Sequence, residues 1–218
     1  KPAAGAGVAV RWPAVILVPG SARVDRDETI AGVSIFAQLA NAIADAGFVV
    51  VRFDKRGVGQ SGGREESAAI VDFADDVRAV MKFLEKRADV DPKHIALIGH
   101  GEGGLVGMLA ASLEKRIAAL ALIATPGTSG AELVLEQQRH QLEGMTLPAD
   151  EKLRRIDLQQ KIQAAVVSGN GWEEIPPAYK RQADTAWFRS FLTFDPVKTM
   201  RKVTQPTLIL HGDRDREV

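Results

Sequence analysis

The sequence predicts an α/β protein, a doubly wound parallel sheet with helices on both faces, and three observations carry that expectation. Short β-branched runs, apolar on both faces, recur between Ala14 and Thr125. Amphipathic stretches with apolar residues at a spacing of three to four fill the gaps between them. Each apolar run ends at residues that suit a turn, so strand and helix alternate as right-handed crossovers require.

Taken in chain order, "AVILV" (14–18) is the first strand and stops at Pro19-Gly20. Phe36, Leu39, Ala40 and Ile43 mark a helix that ends at Gly47, placed as a C′ glycine. "FVVVRF" (48–53) is the second strand and ends at Asp54. Ile70, Phe73, Val77, Val80, Met81 and Leu84 mark the next helix, with Ser67 as its expected N-cap. "HIALIG" (94–99) is a strand running into a glycine-rich turn, and residues 105–113 form a short helix of small side chains after it. "IAALALIAT" (117–125) is the fourth strand, closed by Pro126-Gly127.

Beyond Thr128 the alternation gives way to Gln-, Glu- and Arg-rich segments of helical periodicity, interrupted at Gly144 to Pro148, Ser168 to Gly171 and Pro176-Pro177. A helical insertion of this length between sheet strands reads as a cap or lid. "PTLILHG" (206–212) resumes the sheet. The expected organisation is therefore a core over residues 1–127, a cap over 128–195 and the core continued over 196–218.

Lys+Arg and Asp+Glu both number 28, so no net charge draws the chain to nucleic acid or to a membrane surface. The absence of cysteine excludes disulfides, thiolate metal sites and a cysteine nucleophile. Apolar runs such as "IAALALIA" (117–124) are far short of a membrane span. Nothing in the residues implies a metal or an organic cofactor. The chain opens on Lys1, so a leader could have been removed, and the compartment stays open.

The stretch "IGHGEGG" (98–104) parses in two ways. Gly99, Gly101 and Gly104 have the spacing of a dinucleotide-binding loop. That loop needs an acidic residue at the end of the following strand, and "ATPG" (124–127) supplies none. The alternative is Gly-x-nucleophile-x-Gly between a strand and a helix, a turn that presents a nucleophile beside free helix N–H groups. Its central position, Gly101, has no side chain.

With that second parse the chain resembles the α/β-hydrolase superfamily, in its capped esterase and serine-aminopeptidase-like branch. The residues that carry the resemblance are "ILVPGSARVDRDE" (16–28), "FDKRGVGQSGG" (53–63), "GHGEGG" (99–104), "WFRSFLTFDP" (187–196) and "LHGDRDREV" (210–218), in the family's order. The resemblance implies a three-layer α/β-hydrolase sheet with an inserted helical cap, cut short at both ends. Further strands are expected before Ala14, and a histidine-bearing loop after Val218. It implies a nucleophilic serine where Gly101 stands. It also implies oxyanion-hole N–H groups at Ser21 and Glu102, and a triad acid at Asp215, with Asp213 the weaker choice.

None of the four histidines matches the triad base. His94 opens a strand, His140 lies in the cap and His211 closes the strand before the acid loop. His100 adjoins the nucleophile position and is expected to pack locally. His100, Trp187, Phe188 and Phe191 are candidates for a substrate pocket, although aromatics such as these and Trp172 commonly just pack a cap onto a core. Asp25, Arg26 and Asp27 are expected to order their loop through ion pairs. Gly57 and Gly59 are expected to supply positive φ, and Ser61 lacks the surroundings of a nucleophile.

The function implied is a serine-type hydrolase of carboxylic esters working through an acyl-enzyme, on a small-molecule acyl ester and without a cofactor. With Gly101 and no assignable histidine, the chain as written is expected to be inactive or impaired. A non-catalytic ligand-binding protein of the same scaffold is the alternative, and a serine peptidase is a further one. A complementary segment or second chain completing the sheet is expected where its last strand is exposed.

Overall fold

The five residues Ala14 to Val18 are all at most 4% exposed. A strand achieves this only when helices cover both faces of its sheet. The computed structural model, which describes residues 10–21 and 23–218, builds that arrangement. Strand β1 (Trp12–Val18) is followed by a small antiparallel ribbon, β2 (Thr29–Ile30) and β3 (Val33–Ser34), then by α1 (Ile35–Asp45) and β4 (Val49–Val51). Next come α2 (Ile70–Glu85), β5 (Val90–His100), α3 (Glu102–Leu113) and β6 (Ala119–Ile123). Helices α4 (Gly130–Glu143), α5 (Ala149–Ser168), α6 (Pro177–Ala183) and α7 (Ala186–Thr193) lie between β6 and the final pair, α8 (Pro196–Met200) and β7 (Thr207–Leu210). The main sheet has the order β4-β1-β5-β6-β7 and every pairing in it is parallel.

The two-residue period of the strands sorts their side chains between two cores. Val15, Leu17, Ala96 and Ile98 point to α1, where Phe36 and Ala40 meet them. Ala14, Ile16, Val18, Ile95 and Leu97 point to the opposite face, against Phe73 and Val77 of α2 and Leu105 of α3. The inserted helices hold a third, smaller core of Ile162, Val166, Trp172, Ile175 and Leu192. Helix α7 ties it to the sheet, because Phe191 belongs to the main core. At the sheet edge, Leu208, Ile209 and Leu210 of β7 are 46–67% exposed.

The structure departs from the sequence expectations in several places. Helix α2 starts at Ile70, and Asp72 caps it by accepting the Ala69 N–H at 2.7 Å. Ser67 is not the cap; its hydroxyl donates to the Arg64 carbonyl. Helix α3 begins at Glu102, three residues earlier than its apolar pattern suggests, because glycines 103 and 104 carry no hydrophobic signal. The β2–β3 ribbon was not anticipated; its turn places Ala31 and Gly32 both at positive φ, a conformation usually signalled by Asn-Gly. Any strand expected before β1 on residues 1–9 lies outside the described residues. No helix among the described residues is long and apolar enough to cross a membrane.

One polar cluster holds the loops at the carboxyl end of the sheet. Buried Asp54 accepts the Arg26 backbone N–H at 2.9 Å, the Arg26 guanidinium at 3.0 and 2.7 Å, and the Gln60 N–H at 2.9 Å. Arg52 pairs with Asp27, so the 25–27 segment is ordered by ion pairs as its sequence suggested. Gly57 and Gly59 are at φ 75° and 54°, the left-handed region expected of them. The Arg26 contacts hold the Asp54 carboxyl far below the usual carboxylate range. A depressed folded pKa stabilises the fold above the unfolded value, about 3.9, and that contribution is lost as pH falls. Asp54→Asn is therefore expected to cost about 2–4 kcal/mol at pH 7. In urea titrations the variant should lose less stability than the parent between pH 5 and pH 2. An equal acid sensitivity would refute the assignment.

Candidate active site

The site is built where β5 turns into α3. Gly101 sits at φ 53°, ψ −122°, donates its N–H to the Ile123 carbonyl at 2.9 Å, and is the N-cap position of α3. A side chain at Gly99 would overlap the Gly103 backbone, one at Gly103 would overlap the Val18 carbonyl, and one at Gly104 would overlap Thr125. These three glycines bring the start of α3 down onto the ends of β1 and β6. Gly101 differs from them. A Cβ there would have its nearest neighbours at 3.9 Å, the Ala124 carbonyl, and 4.0 Å, the Gly20 Cα. The space is open and only the backbone angle is unfavourable to a side chain, by about 1–3 kcal/mol. Ala124, across from it at the end of β6, also has positive φ, 44°.

The turn after β1 faces this position. The Gly20 N–H donates to Oε1 of Glu28 at 2.7 Å, and the same oxygen lies 3.0 Å from Nδ1 of His100. Glu28 is 1% exposed, its backbone has a φ of 46°, and its Oε2 is buried with no hydrogen-bond partner. The hydrogen bond to Glu28 raises the His100 pKa, burial opposes it, and the charge of Asp215 adds to the rise. On the other side of the turn, buried Lys55 donates to the Gly20 carbonyl at 3.2 Å and the Ser21 carbonyl at 3.4 Å. Its ammonium also pairs with Glu65 at 3.2 Å and Glu102 at 3.6 Å. Glu102 is 3% exposed and accepts the indole N–H of Trp187 at 3.0 Å. Burial pushes its carboxyl up, against the pull of Lys55 and Trp187.

Asp215 follows β7 and is partly buried, with Oδ1 accepting the Glu217 N–H at 2.9 Å, whereas Asp213 is exposed. Ser21, Arg23, Glu65, Glu66, Gln182, Thr185 and Trp187 line a cavity of about 250 Å³ between the β1 turn and the insertion. Of the aromatic pocket candidates, only Trp187 lines it. Phe191 is 7% exposed inside the core, and Phe188 packs against both apolar clusters, its ring 5.8 Å from Trp187. Both answer to the demand for apolar burial, and neither lines the cavity. His100 is held by Glu28 and is not among the residues lining this cavity. His94 hydrogen-bonds Asp91 at the start of β5, His140 lies on α4, and His211 is exposed. Among the described residues no histidine hydrogen-bonds Asp215, and no group of His, Cys, Asp or Glu is placed to hold a metal ion. A more open depression of about 840 Å³, lined in part by Pro92, Lys115 and Pro206, lies where strands begin. Ligands of open parallel sheets bind at the opposite, carboxyl end, so the smaller cavity is the relevant one.

The sequence pattern singles out Gly101, Ser21, Glu102 and Asp215; it does not single out the side chains of Glu28, Lys55 and Glu65, which the structure brings beside them. Glu102 was valued for its backbone, and its side chain is equally built in. The available signal was a charged residue in a place that had to be buried: Glu between Gly101 and Gly103, and Lys directly after a strand.

This parallel sheet, its flanking helices and the sharp strand-to-helix turn define an α/β-hydrolase. The chain belongs to the family described as serine aminopeptidase, S33, whose model matches residues 30–218. It is 28% identical over 210 residues to esterase EstD of Thermotoga maritima, covering 95% of this chain and 47% of EstD. The chain thus spans about half the length of that relative. Among solved structures, DcsB in complex with its substrate analogue superposes with a TM-score of 0.62 at 19% identity, covering 95% of this chain and 75% of DcsB. A Pyrococcus furiosus esterase does so with a TM-score of 0.62 at 18% identity, covering 95% and 63%.

The glycines make an ordered prediction for unfolding in urea. Gly103→Ala and Gly104→Ala are each expected to cost about 3 kcal/mol or more, because rigid neighbours must move. Gly101→Ala is expected to cost less, about 1–3 kcal/mol, from backbone strain alone. A second expectation concerns Glu28→Gln, which should lower the His100 pKa in an NMR titration. A His pKa raised by folding contributes stability below about pH 6.5 that is lost as pH rises through the folded value. The parent's advantage over Glu28→Gln should therefore be larger at pH 5 than at pH 9.

Proposed function

We propose that this chain is the scaffold of a serine-type hydrolase of carboxylic esters, with its nucleophile position occupied by Gly101. The observation that carries the reading is the contrast among the glycines of the turn. Gly99, Gly103 and Gly104 are required by packing, whereas Gly101 has room for a side chain at the end of the central strand. Family membership and the likeness to an esterase support the same reaction class.

In the reaction this scaffold suits, a serine at position 101 attacks the ester carbonyl. An imidazole oriented by Asp215 takes the hydroxyl proton and passes it to the leaving alcohol. The N–H groups of Ser21 and Glu102 hold the oxyanion, and water then releases the acyl group by the same steps. Helices α4–α7 act as the cap, with Trp187 at the cavity. The substrate is a small acyl ester.

With Gly101 the chain has no hydroxyl to acylate. Removing the serine nucleophile of a protease costs about a million-fold in turnover. Hydrolysis of p-nitrophenyl butyrate by the chain as written is therefore expected at the background rate. A fluorophosphonate is expected to leave residue 101 of the chain as written unmodified, because there is no hydroxyl there to phosphonylate. Turnover by the parent at rates usual for esterases, abolished by excess unlabelled ester, would sink the proposal.

Gly101 itself favours a second reading, a protein that binds acyl compounds without turning them over. Saturable binding of an ester that is recovered intact would select it. The exposed apolar side chains of β7 support a further proposal, that this edge is covered by another parallel strand from a complementary segment.

A further inference from the structure

Lys55 is one of the few charged side chains buried among the described residues, at 5% exposure. Its ammonium donates to the carbonyls of Gly20 and Ser21, at 3.2 and 3.4 Å, and pairs with Glu65 at 3.2 Å. The fourth neighbour, Glu102 Oε2, is 3.6 Å away and makes no hydrogen bond of its own. The ring of Phe73, 4.8 Å from the ammonium, closes off water on a further side. The hydrogen bond that does hold the Glu102 side chain comes from Trp187, on the inserted helix α7. A continuous polar path therefore runs from the insertion through Trp187, Glu102 and Lys55 to the backbone of the β1 turn.

We propose that Lys55 is a positioning residue that couples the helical insertion to the Gly20–Ser21 turn, and so sets the geometry of the oxyanion-binding N–H pair. The inference rests on the reading of Ser21 and Glu102 as that pair. Its physical basis is the cost of an unpaired buried charge. Lys55 is buried, donates to two turn carbonyls and is attracted by two carboxylates at once. When Trp187 withdraws, Glu102 loses its hydrogen bond and competes more strongly for the ammonium. The donors that leave the turn carbonyls release the peptide planes of Gly20 and Ser21. The Gly20 N–H stays tied to Glu28, so the movement falls on Ser21. The same event bears on Glu102, whose backbone N–H opens α3. Movement of the insertion, as when a ligand enters the cavity beside Trp187, thereby reaches both oxyanion donors without touching them.

The test is a double-mutant cycle on the 15N-labelled full chain, with butyrate as a product-like carboxylate and the Ser21 and Glu102 amides as reporters. Trp187→Phe keeps the ring and removes the indole donor; Lys55→Met removes the ammonium. Butyrate binding is expected to weaken about threefold in Trp187→Phe and about tenfold in Lys55→Met, with the double variant no weaker than Lys55→Met alone. Effects that multiply, to about thirtyfold, would overturn the coupling, since independent structural losses add in free energy. If Lys55→Met does not fold, Glu102→Gln replaces it, because it keeps an acceptor for Trp187 while removing the charge that attracts Lys55. Should butyrate leave the Ser21 and Glu102 amides of the parent unshifted, the oxyanion reading itself falls. The coupling is then decided on the free protein. Trp187→Phe must displace the Ser21 amide resonance in the Lys55 chain and leave it in place in Lys55→Met, and equal displacement in both overturns the proposal.

Discussion

The rest of the structure depends on how closely α3 approaches the sheet. Gly103 lies against the Val18 and Pro19 carbonyls, and Gly104 against Thr125, at distances that exclude any side chain. That contact fixes the helix N-terminus over the ends of β1 and β6 and forces Gly101 into positive φ. It also decides what the following residue does. Glu102, at the first turn of the helix, has nowhere to go but inward, and a buried carboxylate must find partners. Lys55 and Trp187 answer that demand, and through them the packing of small residues becomes an electrostatic problem for the whole carboxyl end of the sheet.

Two buried carboxylates flank the turn after β1, and they do different work. Glu28 takes the Gly20 N–H and the His100 ring, whereas Glu102 reaches the same turn only through Lys55. The turn is thus clamped by an acceptor on one side and a donor on the other. Such networks contribute little net stability compared with an apolar core of the same volume, but a missing member is costly. Their value here is geometric: they hold the peptide planes of the turn in one orientation.

The inserted helices meet the sheet with a mixed surface. Phe191 joins the main core and Phe188 bridges the two clusters, which anchors α7. Trp187, one residue before Phe188, turns its polar edge to Glu102 and its ring toward the cavity. The aromatic run in "AWFRSFL" therefore divides its labour, with two rings for cohesion and one for contact with the site. Arg23, Glu65, Glu66, Gln182 and Thr185 bring polar groups to the cavity wall beside the Trp187 ring.

Much of this was legible in the residues themselves. Short continuous apolar runs, separated by amphipathic helices, determine a parallel sheet, because each strand must be covered on both faces. Gly99, position 101 and Gly103 between a strand and a helix mark the turn, once the missing acid after the following strand has excluded the dinucleotide-loop parse. What periodicity could not show is which charged residues would be buried. Glu28, Lys55 and Glu102 look like surface residues in the sequence, and they are inside because turns distant in the chain close over them. Likewise Trp187, Phe188 and Phe191 were indistinguishable as aromatics until packing sent two into the core and left one at the cavity. Local sequence determined the path of the backbone and its hydrophobic faces; the partners of its buried charges were decided only by tertiary structure, because electrostatic pairing acts between groups that the chain alone does not bring together.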